Sequence, residues 1–245
     1  MTWMMRTYIT ALLWGLCSVL AVQAGLPLHI VILGDSNTFI GGDGCDRPRG
    51  WNYWFRELAQ PLSCRSYARS GATWTHTPAT AYDIEEYTEV LSDNNVIYNQ
   101  VNRLKQACAD KVQPTPDLIL ILAGTNDAWF RWLDIQTLAG CMRHDCELLT
   151  ESFPQAKIVL LTPMQNTKTS VERITQTGDI IEQCGHAMGL HVVRLDRESG
   201  ISRRQELKHP TLTTDGVHTN EKGARRIGRY MARWLKGSAS CLNDK

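Results

Sequence analysis

The sequence has 245 residues, 43% apolar and 21% charged, with a formal net charge of +1. That length fits one α/β domain with a sizeable core. The near balance of charge gives no electrostatic basis for nucleic acid or an anionic surface as the main partner. Recurring apolar runs without low-complexity tracts exclude a disordered chain.

At the N-terminus Arg6 precedes an apolar stretch from about Tyr8 to Val22, followed by Val22-Gln23-Ala24. Small residues there suit a signal peptidase, so residues 1–24 are expected to be a secretory signal and 25–245 the functional domain. The rival reading is an uncleaved membrane anchor, for which the stretch is short, since a span needs about 20 apolar residues. Leu16 before Cys17 makes a poor lipobox. The expectation is export to a periplasm or the exterior, with no stable membrane insertion after cleavage.

Export bears on Cys45, Cys64, Cys108, Cys141, Cys146, Cys184 and Cys241, some of which should pair in an oxidising compartment. Proximity suggests Cys45 with Cys64 and Cys141 with Cys146; the odd count leaves at least one unpaired or intermolecular. Cys141-x-x-His144-x-Cys146 comes nearest to zinc spacing, but it reads as a helix surface with a local disulfide or free thiols. No metal is expected.

Four apolar segments read as buried strands: Ile30–Leu33, Leu118–Leu122, Lys157–Leu161 and His191–Leu195. They lack alternation, as strands do when both sheet faces are covered. A further strand is expected around Cys64–Tyr67. Helical spacing marks Trp51–Gln60, Ile97–Asp110, Leu133–Phe153, Val171–Met188 and Asn220–Leu235. Strands alternating with helices imply βαβ units and a mainly parallel sheet sandwiched between helices. Pro114, Pro116 and Pro154 punctuate these elements; Gly189 suits a C-terminal cap and Asn220 an N-cap. Arg225, Arg226, Arg229, Arg233 and Lys236 on the last helix read as a solvated face. No repeat or linker marks a second domain.

The chemistry-bearing motifs follow predicted strands. Gly34-Asp35-Ser36-Asn37 ends the first, Gly71 follows the second, and Gly124-Thr125-Asn126-Asp127 follows the third; Asp215-Gly216-Val217-His218 comes last. Open α/β sheets bind ligands beyond the carboxyl ends of their strands, so these loops should share one rim. A serine hydroxyl is a poor nucleophile without an adjacent base. Ser36 is the candidate nucleophile, His218 its base, and Asp215 the carboxylate that orients the imidazole. A tetrahedral oxyanion needs aimed donors, for which the Ser36 N–H, the Gly71 N–H and the Asn126 amide are candidates. Taken alone, Gly71 is an ordinary turn glycine, Asn126 a loop amide, and Asp215-Gly216 a turn.

Together the motifs resemble the SGNH/GDSL hydrolase family, over nearly the whole chain after the N-terminus. Gly34-Asp35-Ser36 matches its first block, Gly71 its second, Gly124–Asp127 its Gly-x-Asn-Asp block, and Asp215–His218 its Asp-x-x-His block. The resemblance implies a three-layer α/β/α, flavodoxin-like sandwich with metal-free, cofactor-free catalysis. It implies a Ser36-His218-Asp215 triad with Ser36, Gly71 and Asn126 as the oxyanion hole. Asn37 stands where many members carry an apolar residue, which should alter the pocket but not the mechanism. Thr75–Asn95 is expected to form a lid or cover the site. An ordinary α/β-hydrolase would show Gly-x-Ser-x-Gly, which is absent around Ser36. Gly41-Gly42-Asp43-Gly44 lacks the Lys-Ser/Thr or helix start of a nucleotide loop and reads as a mobile loop beside the nucleophile.

The expected reaction is hydrolysis of a carboxylic ester on an acylated small molecule or glycan. Trp51, Trp54, Trp74, Trp129 and Trp132 lie near the motifs in sequence; their faces suit sugar rings, acyl chains or a plain core. Short acyl groups, above all acetyl on a glycan, are the preferred substrate. The alternatives are a lysophospholipase or thioesterase, an acyltransferase with the same triad, and a non-catalytic glycan-binding protein on this fold.

Overall fold

The computed structural model describes residues 27–76, 96–129 and 134–243, with side chains up to 238. Five strands form the sheet: β1 (His29–Gly34), β2 (Ser63–Ser66), β3 (Leu118–Leu122), β4 (Lys157–Leu161) and β5 (His191–Val193). All pairings are parallel, in the order β2-β1-β3-β4-β5. The helices are α1 (Ser36–Phe39), α2 (Trp51–Ala59), α3 (Ile97–Ala109), α4 (Thr125–Trp129), α5 (Ile135–Ser152), α6 (Val171–Ala187), α7 (Leu195–Glu198), α8 (Arg203–Lys208) and α9 (Glu221–Asn243).

The missing alternation in the strands now has its cause. Ile30, Ile32, Leu118, Leu120, Val159 and Val193 pack on one face against Trp51 and Phe55 of α2 and Ile227 and Met231 of α9. Val31, Leu33, Ile119, Ile121, Ile158 and Leu160 pack on the other against α3, α5 and α6. Burying both faces of a parallel sheet requires apolar residues at every position. The α2–α9 crossing is close because α9 carries Gly228: a Cβ there would stand 2.6 Å from Trp51 O and 2.5 Å from Trp54 Cβ.

The sheet order places the site. The chain leaves β1, adds β2 on one side, then crosses to β3 on the other, so the connections diverge at β1. Such a switch point opens a crevice beyond the carboxyl ends of the strands. The loops after β2 and β3 therefore flank the loop after β1. Expected and observed strand limits agree within a residue or two. The short helices α1, α4, α7 and α8 were not foreseen, being too brief to show a periodicity.

Residues 1–24 and most of Thr75–Asn95 lie outside the described residues, so neither the expected signal nor the expected cover is visible. Among the described residues no helix is long and apolar enough to cross a membrane. Cys45 and Cys64 face each other as thiols with their sulfurs 3.6 Å apart. Cys141 and Cys146 do not pair as expected. Five residues apart on α5, they point about 140° apart around the axis; Cys146 faces the core while the Cys141 Sγ lies 3.7 Å from His76 O.

Candidate active site

The end of β1 is tightly fixed. A Cβ on Gly34 would meet Leu122 O at 2.4 Å and Thr38 Oγ1 at 2.9 Å, so only glycine fits between β1 and β3 here. The buried Gln100 amide of α3 brackets the same residue, accepting from Gly34 N and donating to Gly34 O, both at 2.9 Å. Asp35 N donates to Leu122 O at 3.1 Å. The Asp35 carboxylate then caps α1, accepting from Asn37 N at 3.0 Å. Burial pushes the Asp35 pKa up to about 6, against the pull of the Asn37 N–H and Thr125. Ser36, the first residue of α1, keeps only 7% of its surface exposed.

His218 reaches this serine from the far end of the sequence. Its Nε2 lies 2.9 Å from Ser36 Oγ, and its Nδ1 lies 2.7 Å from Asp215 Oδ2. A carboxylate can only accept, so Nδ1 carries the proton and Nε2 is left to accept from the serine hydroxyl. Asp215 Oδ1 also accepts from Val217 N at 2.9 Å and His218 N at 2.8 Å. Burial works to raise the Asp215 pKa, but these N–H groups and the imidazole outweigh it and hold the carboxyl down at about 2.

The turn carrying Asp215 and His218 is held by one carboxylate of α8 and by backbone contacts. Buried Glu206 of α8 accepts from Thr211 N, Leu212 N, Thr213 N and the Thr213 hydroxyl. Thr167 N donates to Gly216 O at 2.8 Å. Gly216 has φ of 86°, and a Cβ there would stand 1.9 Å from Thr167 Oγ1. Thr213 and Thr219 close the base of the loop as an antiparallel bridge.

Gly71 and Asn126 lie in the segments after β2 and β3, the strands on either side of β1. Asn126 Nδ2 spends one hydrogen on Ala72 O at 2.9 Å, leaving its second available. Gly71 has φ of 77°. The Ser36 and Gly71 N–H groups donate to no other described residue. Asp127 fixes the neighbouring backbone: its carboxylate accepts from Trp74 N, Thr75 N and the Thr75 hydroxyl at 2.9–3.0 Å. Burial raises the Asp127 pKa, opposed by those same donors.

The tryptophans separate. Trp51 and Trp74 are fully buried core residues. Trp54 donates to Pro48 O and lies under Arg225 of α9. Trp129, three residues after Asn126 at the end of α4, is 38% exposed. Trp132 lies outside the described residues. The Gly41–Gly44 stretch is a packed turn, not the loose loop expected: Asp43 pairs with Arg69 at 2.8 Å, and Arg56 donates to Gly44 O. Gln100 and Glu206 were missed in the sequence. Gln100 is a single polar residue on a helix with a partner 66 residues away. The partners of Glu206 lie only five to seven residues on, but they are backbone N–H groups and a hydroxyl that no side-chain pattern announces.

The family model for GDSL-like lipase/acylhydrolases matches residues 32–226. No curated protein matches the chain. Among solved structures, a possible lipase from Chitinophaga pinensis superposes with a TM-score of 0.59 at 18% identity, covering 86% of this chain and 99% of its own. An acetyl xylan esterase gives 0.59 at 19% identity, over 84% of this chain and 99% of that one. A GDSL-like lipase from Bacteroides thetaiotaomicron gives 0.56 at 18% identity, over 85% and 88%. At such identities the likeness concerns the fold, while the family match covers well over half the sequence. This chain therefore belongs to the GDSL-like lipase/acylhydrolase family and is a carboxylic ester hydrolase.

Proposed function

We propose that the chain is an exported serine esterase that removes short acyl groups, acetyl above all, from a carbohydrate. The observation that carries the catalytic reading is the continuous relay Ser36 Oγ, His218 Nε2, His218 Nδ1, Asp215 Oδ2, at 2.9 and 2.7 Å. Ser36 attacks the ester carbonyl while His218 takes its proton. Asp215, charged throughout the neutral range, holds the ring and stabilises the imidazolium. The Ser36 N–H, the Gly71 N–H and the free hydrogen of Asn126 Nδ2 receive the developing oxyanion. His218 returns the proton to the leaving alcohol, and water repeats the sequence to free the acid.

For the substrate, the exposed Trp129, three residues after Asn126 on α4, offers an aromatic face of the kind sugar rings stack on. The acetyl xylan esterase among the structural neighbours points the same way. The N-terminal segment supports export, as its composition is that of a cleavable signal. The second reading is a lipid esterase, since other neighbours are described as lipases.

Hydrolysis of p-nitrophenyl esters from acetate to palmitate separates the two. The proposal expects kcat/KM to fall steeply beyond short chains and acetate to be released from acetylated glycans. A preference for long chains would favour the lipid esterase. No turnover on any ester, with glycan affinity retained, would indicate a binding protein.

A further inference from the structure

Away from the relay, His76, His144 and Asp145 bring their ring nitrogens and a carboxylate oxygen within 4.8 Å of one another. His76 lies five residues after Gly71; His144 and Asp145 are consecutive on α5. Asp145 Oδ1 lies 3.3 Å from both His76 Nε2 and His144 Nδ1. Two ligands on a tetrahedral zinc, each about 2.0–2.1 Å from the metal, stand about 3.3–3.4 Å apart. The two measured edges therefore already have the spacing of a metal's coordination shell.

Burial makes the cluster unusual. The Asp145 side chain has no exposed surface, whereas that of His144 is 58% exposed. Asp145 Oδ2 and His76 Nε2 are both buried and make no hydrogen bond among the described residues. A buried carboxylate with an idle oxygen is costly unless a cation meets it. Tyr98 of α3 packs against both imidazoles, with ring centres 5.2 and 5.5 Å away, and limits their rotation.

We propose that His76 Nε2, His144 Nδ1 and the Asp145 carboxylate bind a divalent transition metal of the zinc class, with water in the fourth position. Two imidazoles and a carboxylate suit zinc or cobalt better than calcium or magnesium, which prefer oxygen alone. The exposed edge of His144 gives the ion its way in. The metal would tie the loop between Gly71 and His76 to α5. Asp127 grips the same loop through Trp74 and Thr75. Its role is then to hold a candidate oxyanion donor in place, not to activate water.

The test uses the full chain, stripped with chelator, and titrates it with Zn²⁺ by calorimetry and with Co²⁺ by visible absorption. The proposal expects one site, the intense bands of low-symmetry cobalt, and a Tm raised by at least about 3 °C at saturating Zn²⁺. His144→Ala alters a largely exposed side chain and should fold. It should weaken binding by at least about 100-fold, since loss of an outer partner alone costs 10–100-fold. Asp145→Asn should also abolish the cobalt bands. Absence of binding would make the cluster an ordinary ion pair and overturn the proposal. So would equal affinity in the wild type and His144→Ala, which would put the metal elsewhere.

Discussion

The two halves of the catalytic relay are held by different means. Ser36 stands on the end of a central strand, with β2 and β3 on either side and both sheet faces buried. Contacts of Gly34 with the Gln100 amide and of Asp35 N with Leu122 O fix the strand end immediately before it. His218 and Asp215 sit on a turn at the rim, where the Asp215 side chain is 53% exposed, and they are placed by the Glu206 carboxylate of α8 and by the Thr167 N–H of the loop after β4. The strand end supplies rigidity that any parallel sheet would give. The turn obtains its rigidity residue by residue, through Glu206, Thr167 and the carboxylate of Asp215 itself. The two carboxylates follow the same division: burial lifts Asp35, while hydrogen bonds hold Asp215 down.

Substitutions can break this contrast at either end. Asp215→Asn keeps the shape of the turn but can donate to Nδ1, which favours the wrong tautomer. It should lower kcat by about 10⁴ with little change in KM, measured on p-nitrophenyl acetate. A drop below tenfold would mean that Asp215 does not orient the base. Glu206→Gln places an amide donor among the Thr211–Thr213 N–H groups. It should cost about 1.5–3 kcal/mol in denaturant unfolding, with kcat falling because the turn loosens. Gln100→Leu strands the Gly34 N–H in the core and should cost about 1–3 kcal/mol. The strand neighbours of Gly34 remain, so its kcat should fall less than that of Glu206→Gln. The reverse order would show that Gln100, not the sheet, positions the nucleophile.

The smallest effect is the dependence of stability on pH. Asp35 binds its proton more tightly when folded. Its contribution is therefore full below its ordinary value of 3.8 and is lost as pH rises through about 6. Asp215 has the opposite sign: its contribution is present above 3.8 and is lost as pH falls through about 2. Asp35→Asn keeps the acceptor for Asn37 N and removes the first titration. Unfolding free energy between pH 4 and 7 should then decline less steeply than in the wild type. An unchanged slope would show that Asp35 is not the group responsible.

Much of this molecule is written locally in the sequence. Unbroken apolar runs mark β1, β3 and β4 because each strand is buried on both faces, and the four motifs fall just beyond strands or in the final loop. What the sequence hides depends on distance along the chain. Gln100 acts on Gly34 across 66 residues, and His76 meets Asp145 only once α5 has packed beside the loop. The tryptophans stayed ambiguous for a related reason: closeness to a motif in sequence does not tell whether a ring faces substrate or core, and Trp51 and Trp74 fill the core.

The central claim is that Ser36, activated by His218, is the nucleophile. Incubation with a fluorophosphonate ester, followed by peptide mass spectrometry, tests it most directly. The account predicts one adduct, on Ser36, formed far more slowly in His218→Ala and absent in Ser36→Ala. Labelling of another residue, or hydrolysis that persists at wild-type rates in Ser36→Ala, would contradict it.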